Sequence, residues 1–562
     1  MVGNLTRRRD SQLLDYPTMP PLNFSEPVNF NSSTNFPHPR SPASYRISDF
    51  NHARHVQDVC IVILALVTLA SCIQAVLHRL LPTRINRNKQ LAAFGVLAAT
   101  LLYCYLADRT TFFPKAAKPT NIPAFLALLV FALLIGACKV CRNHMEISSL
   151  EKGDATNTAD FLSRQQSDEW KGWMQIVILL YHYFGMSKVL GVYRIVRVLV
   201  GSYLFMSGYG HTLYFLKTND FSAHRVCMVL LRTNLLACVL PYIMATKYKL
   251  YYFPMLSSFW FLVTWITIPR STAAPLNLQA LAWRVGLSCL LVNLLLSQPC
   301  LWHFGADALR KVHLVDLNTK ELLFRLSLDS YIPFIGMITA CAGEHFSARS
   351  SIDPSTALWS LDRVRKKAIA VAACILVAYG VASTTFRSKE DSNRIHRFTE
   401  VIPIILFLLI RNATPHLRRS YSHVFAWVGK YSLETFCLQY HIWLASDSKA
   451  LLKLWHSTSG RNSFDFWLLE FGIVTIAFLD ISRHAANATA VIITWIVGPK
   501  VVGIDDGLAS SRIESAQGIE PPDRFTPRLP CSIPGPKLVL LQAVLWFANH
   551  LAWDSDRMQL PT

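Results

Sequence analysis

The chain has 562 residues, of which 52% are hydrophobic and 16% charged, and its formal net charge is +20. Ordinary globular chains carry about 25% charge, so long apolar runs at this low charge exclude a soluble multi-domain enzyme and point to a multi-span membrane protein. The positive charge does not indicate nucleic-acid binding, because the basic residues sit in short clusters between apolar segments, as cytosolic loops require.

Residues 1–56 are polar and rich in Asn, Pro and Ser, the composition of a disordered tail, with no cleavable signal peptide. Asn4, Asn23 and Asn31 each begin a glycosylation sequon, which suits a lumenal tail. Candidate spans then follow at 57–77, 91–106, 122–138, 172–186, 189–215, 225–245, 251–269, 281–298, 331–345, 368–386, 401–411, 423–445, 465–481 and 485–498. A spanning helix needs about 20 apolar residues, so the short segments at 172–186, 331–345, 401–411 and 485–498 are candidates for re-entrant or buried helices. The predicted fold is all-α, a polytopic membrane bundle of roughly 11–14 transmembrane or re-entrant helices.

Arg79, Arg84, Arg87 and Lys89 place the first loop in the cytosol and the N-terminal tail in the lumen. Alternation then places 139–168, 216–224, 346–367 and 412–422 in the cytosol. Arg363, Arg365, Lys366 and Lys367 support the third of these, and Arg418 and Arg419 the fourth. Cys138 and Cys141 form a CxxC without a second ligand pair nearby, so no metal site is expected among the thirteen cysteines. Residues 499–535 read as a Pro-rich linker, and 537–548 as an apolar segment too short to span.

Ionisable groups inside spans are costly and face a cavity, a partner or a substrate. Here they include Arg194, Arg197 and His211 in span five, Arg225 and Arg232 in span six, and Lys430, Glu434 and His441 in span twelve. Gln175 and His182 share one helical face, as do Arg225 and Arg232. Glu434 and His441 lie about 10 Å apart along a helix axis, so His441 needs an orienting partner from elsewhere. Such a polar interior fits an enzyme cavity or a transport path.

Several blocks carry a more specific signal: DEWKGWMQIVILLYHYFG at 168–185, RVLVGSYLFMSGYGH at 197–211, RVCMVLLRTNLL at 225–236, YYFPMLSSFWF at 251–261, FRLSLDSYIPFIGM at 324–337 and GKYSLETFCLQYHIWLASD at 429–447. In these the chain resembles the multi-span polysaccharide and sialate O-acetyltransferase family. That family includes fungal capsule-O-acetylation proteins, plant reduced-wall-acetylation proteins and animal sialate O-acetyltransferase. The resemblance implies Golgi O-acetylation of glycans, with acetyl-CoA as donor, and an acyltransferase domain at 57–498. It also singles out Trp170, Lys171, Gly172, Trp173, His182, Arg197, Tyr209, Gly210, His211, Arg225, Arg232, Asn234, Arg325, Asp329, Gly336, Glu434, Gln439, His441, Trp443 and Asp447. One departure stands out. Animal and many fungal members carry a lumenal SGNH-type domain, whereas this sequence has no GDS motif and resembles the plant members.

Within this resemblance, His182, His441, His211, Glu434 and Asp329 are the candidate catalytic residues. Trp170, Lys171, Arg197, Lys217, Arg225, Arg232, Asn234, Arg325, Gln439 and Trp443 are the candidate binding residues. His211, Lys217 and Arg225 are expected at the cytosolic face, to receive acetyl-CoA. His182, His441, Arg325 and Asp329 are expected on the acceptor side, the last two paired at four-residue spacing. Acetyl would pass through a histidine relay or move directly from the coenzyme. The alternative is a carrier that supplies acetyl groups to a separate lumenal SGNH-like transferase.

Overall fold

The computed structural model describes residues 51–80, 88–142, 162–246, 248–270, 278–313, 319–349, 362–383, 385, 388–455 and 464–498, with isolated positions at 537, 539, 540 and 543. Residues 1–50 and 499–536, and with them most of the two predicted tails, lie outside that set, as does most of the loop at 139–168; residues 51–56, expected in the disordered tail, are instead the first turns of a helix.

The elements in chain order are α1 (Asn51–Leu80), α2 (Lys89–Arg109), β1 (Lys115–Ala117), α3 (Ile122–Cys138), β2 (Val140–Arg142) and α4 (Arg164–Tyr183). Next come α5 (Leu190–Thr218), α6 (Ala223–Met244), α7 (Tyr252–Thr267), α8 (Leu278–Leu296), α9 (Pro299–His313), α10 (Thr319–Leu328) and α11 (Ile332–Arg349). The remainder is α12 (Asp362–Ser383), α13 (Lys389–Thr399), α14 (Val401–Arg411), α15 (Pro415–Arg419), β3 (Ser420–Ser422), α16 (His423–Lys430), α17 (Ser432–Ile442), β4 (Leu444–Ala445), β5 (Ala450–Leu452) and α18 (Phe464–Val497). The protein is an all-α polytopic bundle. Six stretches among the described residues are long and apolar enough to cross a membrane: Gln57–Leu80, Lys89–Arg109, Leu190–Thr218, Ala223–Met244, Leu278–Leu296 and Thr319–His345.

Local chemistry sets several boundaries. Asn121 accepts the Ala124 N–H and Pro123 stands in the first turn, so α3 starts there. Ser163 and Gln166 form a reciprocal capping box that starts α4 eight residues before the predicted apolar run.

Two predicted boundaries are corrected. The span at 423–445 is two helices, α16 and α17, interrupted at Tyr431. The spans at 465–481 and 485–498 are one helix, α18, of 34 residues. The polar stretch at 480–484 does not break it, because Asp480 pairs with Arg483 and His484 one turn on.

The helix ends gather at two faces. At the first, β1 pairs with β5 and β5 with β4, and Lys118 donates to the carbonyl of His182 at 2.8 Å. At the second, β2 pairs with β3, Arg411 meets Glu169 at 2.7 Å, and Lys217 lies 3.5 Å from Glu344. The loops expected on one side of the membrane thus meet in two pairs, 139–168 with 412–422 and the turn at 216–224 with the end of α11. Gly498 joins them, its carbonyl 2.9 Å from His224. Counting α18 as two spans would have sent residue 498 to the opposite face.

Two helix crossings bring backbone against backbone. A Cβ on Gly172 of α4 would strike the carbonyl of Phe425 on α16, and a Cβ on Gly429 would strike the carbonyl of Asp168. Gly208 of α5 and Gly336 of α11 face each other's helices in the same reciprocal way, through the carbonyls of Pro333 and Phe205. Small residues permit such contacts where lipid offers no hydrophobic drive for helix association. Gly172 and Gly336, singled out by the resemblance, therefore have a packing role. Gly172→Ala or Gly336→Ala should destabilise the protein by about 1–3 kcal/mol through overpacking, read as a lowered thermal midpoint in detergent. An unchanged midpoint would refute the tight crossings.

Candidate active site

The C-terminal end of α2 supplies Asp108 and Arg109, and the end of α17 supplies His441. Asp108 and His441 are fully or almost fully buried. His441 Nδ1 lies 2.7 Å from Asp108 Oδ2, and its Nε2 is hydrogen-bonded to the Tyr251 hydroxyl. Asp108 Oδ1 accepts the backbone N–H of Ser446 at 2.7 Å. Arg109 pairs with Asp447 at 2.6 Å.

These bonds hold an unusual turn. Ser446, Asp447 and Ser448, between β4 and β5, have φ of 53°, 54° and 68°. Non-glycine residues in this left-handed region cost roughly 1–2 kcal/mol each, and surroundings that over-determine the conformation must maintain it. Asp108 and Arg109 do so here.

An imidazole with a carboxylate on Nδ1 is fixed in one tautomer, with Nε2 left to accept a proton. The need for an external partner to His441 is met by Asp108, 333 residues away. The sequence reading missed Asp108, Arg109 and Tyr251. The available signal was LADR, an acid–base pair closing an apolar run.

His182, at the end of α4, stands near this group. Its ring is edge-on to Tyr440 at 6.0 Å, and Tyr440 is edge-on to Tyr251 at 5.9 Å. Trp443 packs on Tyr183 and Phe478 and donates to Thr475 at 3.1 Å. Gln439, fully buried, donates to the Phe436 carbonyl at 3.1 Å. Glu434, fully buried, pairs with the half-buried Arg232 rather than with His441, and Arg232 also reaches Thr489. Asn234 ties α6 to α7 by donating to Ser258 at 2.6 Å.

A second polar group forms beside α5. Arg197 makes two hydrogen bonds to Asp329, at 2.7 and 2.9 Å, and His396 Nε2 lies 3.2 Å from both Asp329 Oδ1 and Glu400 Oε2. Burial opposes charge on His396, but its two carboxylate partners outweigh burial and raise its pKa to about 9. The expected Arg325–Asp329 pair is not formed. α10 ends at Leu328, so helical spacing does not apply, and Arg325 instead pairs with Glu321 at 2.7 Å beneath the ring of Tyr252. His396 and Glu400 also went unread, since they lie between apolar runs.

The remaining candidates sit toward the second face. Lys217 approaches Glu344, Arg225 lies over the Tyr214 ring at 3.9 Å, and His211 is edge-on to Phe261. Trp170 is buried against Phe205 and Phe407, while Lys171 pairs with Asp168 at 3.2 Å. A cavity of about 350 Å³ opens nearby, lined in part by Trp170, Trp173, Phe407, Arg411 and His416.

The described residues thus form a helical membrane bundle that buries an Asp–His pair against a tyrosine hydroxyl. Residues 62–504 match the family described as a 10 TM acyl transferase domain found in Cas1p, and the chain belongs to that family. It is also 35% identical over 429 residues to a Danio rerio protein named N-acetylneuraminate (7)9-O-acetyltransferase, a match covering 74% of this chain and 52% of that one. The chain thus spans about half the length of this curated relative. No solved structure matches it.

The Arg232–Glu434 pair gives a test of structural rather than catalytic work. Arg232→Met strands a buried carboxylate and should cost about 3–5 kcal/mol. The double variant Arg232→Met/Glu434→Leu should recover most of the thermal midpoint. A double variant as unstable as the single one would refute the pairing.

Proposed function

We propose that the chain is an O-acetyltransferase of the Golgi membrane that moves acetyl groups from acetyl-CoA to hydroxyls of glycans, including cell-wall or capsular polysaccharides. Family membership and the named activity of the relative support the reaction class. The Asp108–His441–Tyr251 arrangement carries the assignment of residues.

In this reading, His441 Nε2 takes the proton of an acceptor hydroxyl while Asp108 steadies the resulting imidazolium. The alkoxide oxygen attacks the thioester carbonyl and forms the new ester bond. The C–S bond breaks, and the coenzyme thiolate takes the proton back from His441. The Tyr251 hydroxyl marks the position an acceptor hydroxyl would take, or donates to the developing oxyanion. Lys217 and Arg225 attract the coenzyme phosphates at the opposite face. Arg197 and Lys217 are twenty residues apart on α5, about 30 Å along its axis, so donor and acceptor approach from opposite faces.

A second reading is a carrier that delivers acetyl groups to a separate lumenal SGNH-like transferase.

Purified protein given labelled acetyl-CoA and an oligosaccharide should yield an acetyl ester. Per folded molecule, His441→Ala and Asp108→Asn should each lower that rate about 100-fold or more. Full activity in both variants would remove these residues from the chemistry. Product only after adding a lumenal transferase would select the carrier.

A further inference from the structure

We propose that Asp329, His396 and Glu400 form a divalent-metal site of the zinc class, independent of the His441 group and of the acetyl-transfer reading.

The three side chains converge from two stretches of chain. Asp329 lies in the turn after α10. His396 and Glu400 are four apart, one helical turn, at the junction of α13 and α14. Their candidate ligand atoms all lie within 4.8 Å of one another, and all three residues are buried. One imidazole nitrogen with two carboxylate oxygens is a donor set that zinc accepts, with a fourth position left for water or substrate.

The spacing favours a common centre over simple hydrogen bonds. His396 Nε2 is 3.2 Å from an oxygen of each carboxylate. Charge-assisted hydrogen bonds are shorter, about 2.7–2.9 Å, as Arg197 shows on Asp329 at 2.7 and 2.9 Å. A single N–H can serve two oxygens only as a longer, weaker three-centre bond, whereas a metal binds both carboxylates at full strength. Ligands bonded to a tetrahedral zinc at about 2.0–2.1 Å stand about 3.3 Å from each other.

Glu400 supplies an independent observation. It is 0% exposed, yet neither of its oxygens has a hydrogen bond of good geometry. A buried carboxylate left so under-satisfied costs several kcal/mol, so it calls for a cation or a proton. Gly201 of α5 lets this carboxylate reach the group, since a Cβ there would land on Glu400 Oε2. Arg197 grips both oxygens of Asp329 from outside, as the partners of metal-binding carboxylates do.

The competing occupant is a proton on His396. With Arg197 it would balance the two carboxylates and leave the group neutral. Metal and proton compete for the same nitrogen lone pair, so zinc affinity should rise with pH.

The test uses the full chain in detergent, stripped with chelator, exposed to zinc and desalted. Elemental analysis should find one zinc per chain bound through this group. His396→Ala and Glu400→Gln should return the content to background, and Arg197→Lys should weaken binding at least about tenfold. Cobalt loading should give d–d absorption without a thiolate charge-transfer band, which separates this site from the cysteines even if a variant fails to fold. Folded wild-type protein without zinc overturns the proposal, as does zinc retained by both ligand variants or a thiolate band. The group is then a proton-balanced ion-pair cluster.

Discussion

The carboxylate of Asp108 ties together stretches of chain that would otherwise have no reason to meet. One oxygen takes His441 and the other takes the backbone N–H of Ser446, while the next residue, Arg109, holds Asp447. The carboxylate is fully buried at the end of a membrane helix, where an unpaired charge would be costly. Meeting that requirement brings the end of α17 to the end of α2, bends the β4–β5 turn into a left-handed path, and sets that hairpin beside β1. The same bonds leave one imidazole nitrogen facing Tyr251. Fold and reactive geometry thus answer one electrostatic demand.

The polar groups are partitioned along the bundle. His441, His182 and the Arg197–Asp329 cluster lie toward the first face, while Lys217 and Arg225 stand by the turn at the second. A helix rise of about 1.5 Å per residue makes this separation close to the hydrocarbon thickness of a bilayer, about 30 Å. Under the proposed function, reaction at one face with a donor at the other would require passage of a group or of a flexible arm through the interior. The broken segment α16–α17 lies in that interior. Non-helical backbone is tolerated at such depth only when surrounded by protein, and Tyr431 meets that condition, buried among its neighbours.

Legibility in the sequence followed the range of the forces involved. Apolar runs report directly on helices, and 122–138 and 401–411 were read to the residue. The interruption at Tyr431 carries no proline, and Gly429 two residues before it is used in the crossing with α4, so its sequence alone does not announce a break. The opposite failure occurred in α18, where charges that looked like a boundary satisfy each other within one helical turn. At the site, His441 was visible because ionisable residues are rare in spans. Its partner Asp108 was not, because their pairing is purely tertiary. Arg325 and Asp329 show the limit of spacing arguments: the four-residue rule holds only while the helix continues, and α10 stops one residue too early.

The glycine crossings have a mechanical consequence. Helices that touch through side chains can slide by small rotamer changes, which is how shear motions are accommodated. Where carbonyls sit against glycine Cα atoms, no such layer of side chains exists to deform. α4 with α16, and α5 with α11, therefore behave as two welded bars, each carrying polar residues at a fixed height: Gln175 and His182 on one, Arg197 on the other. Any opening that admits a substrate must come from the less tightly joined elements around them, with the two bars as the stationary frame.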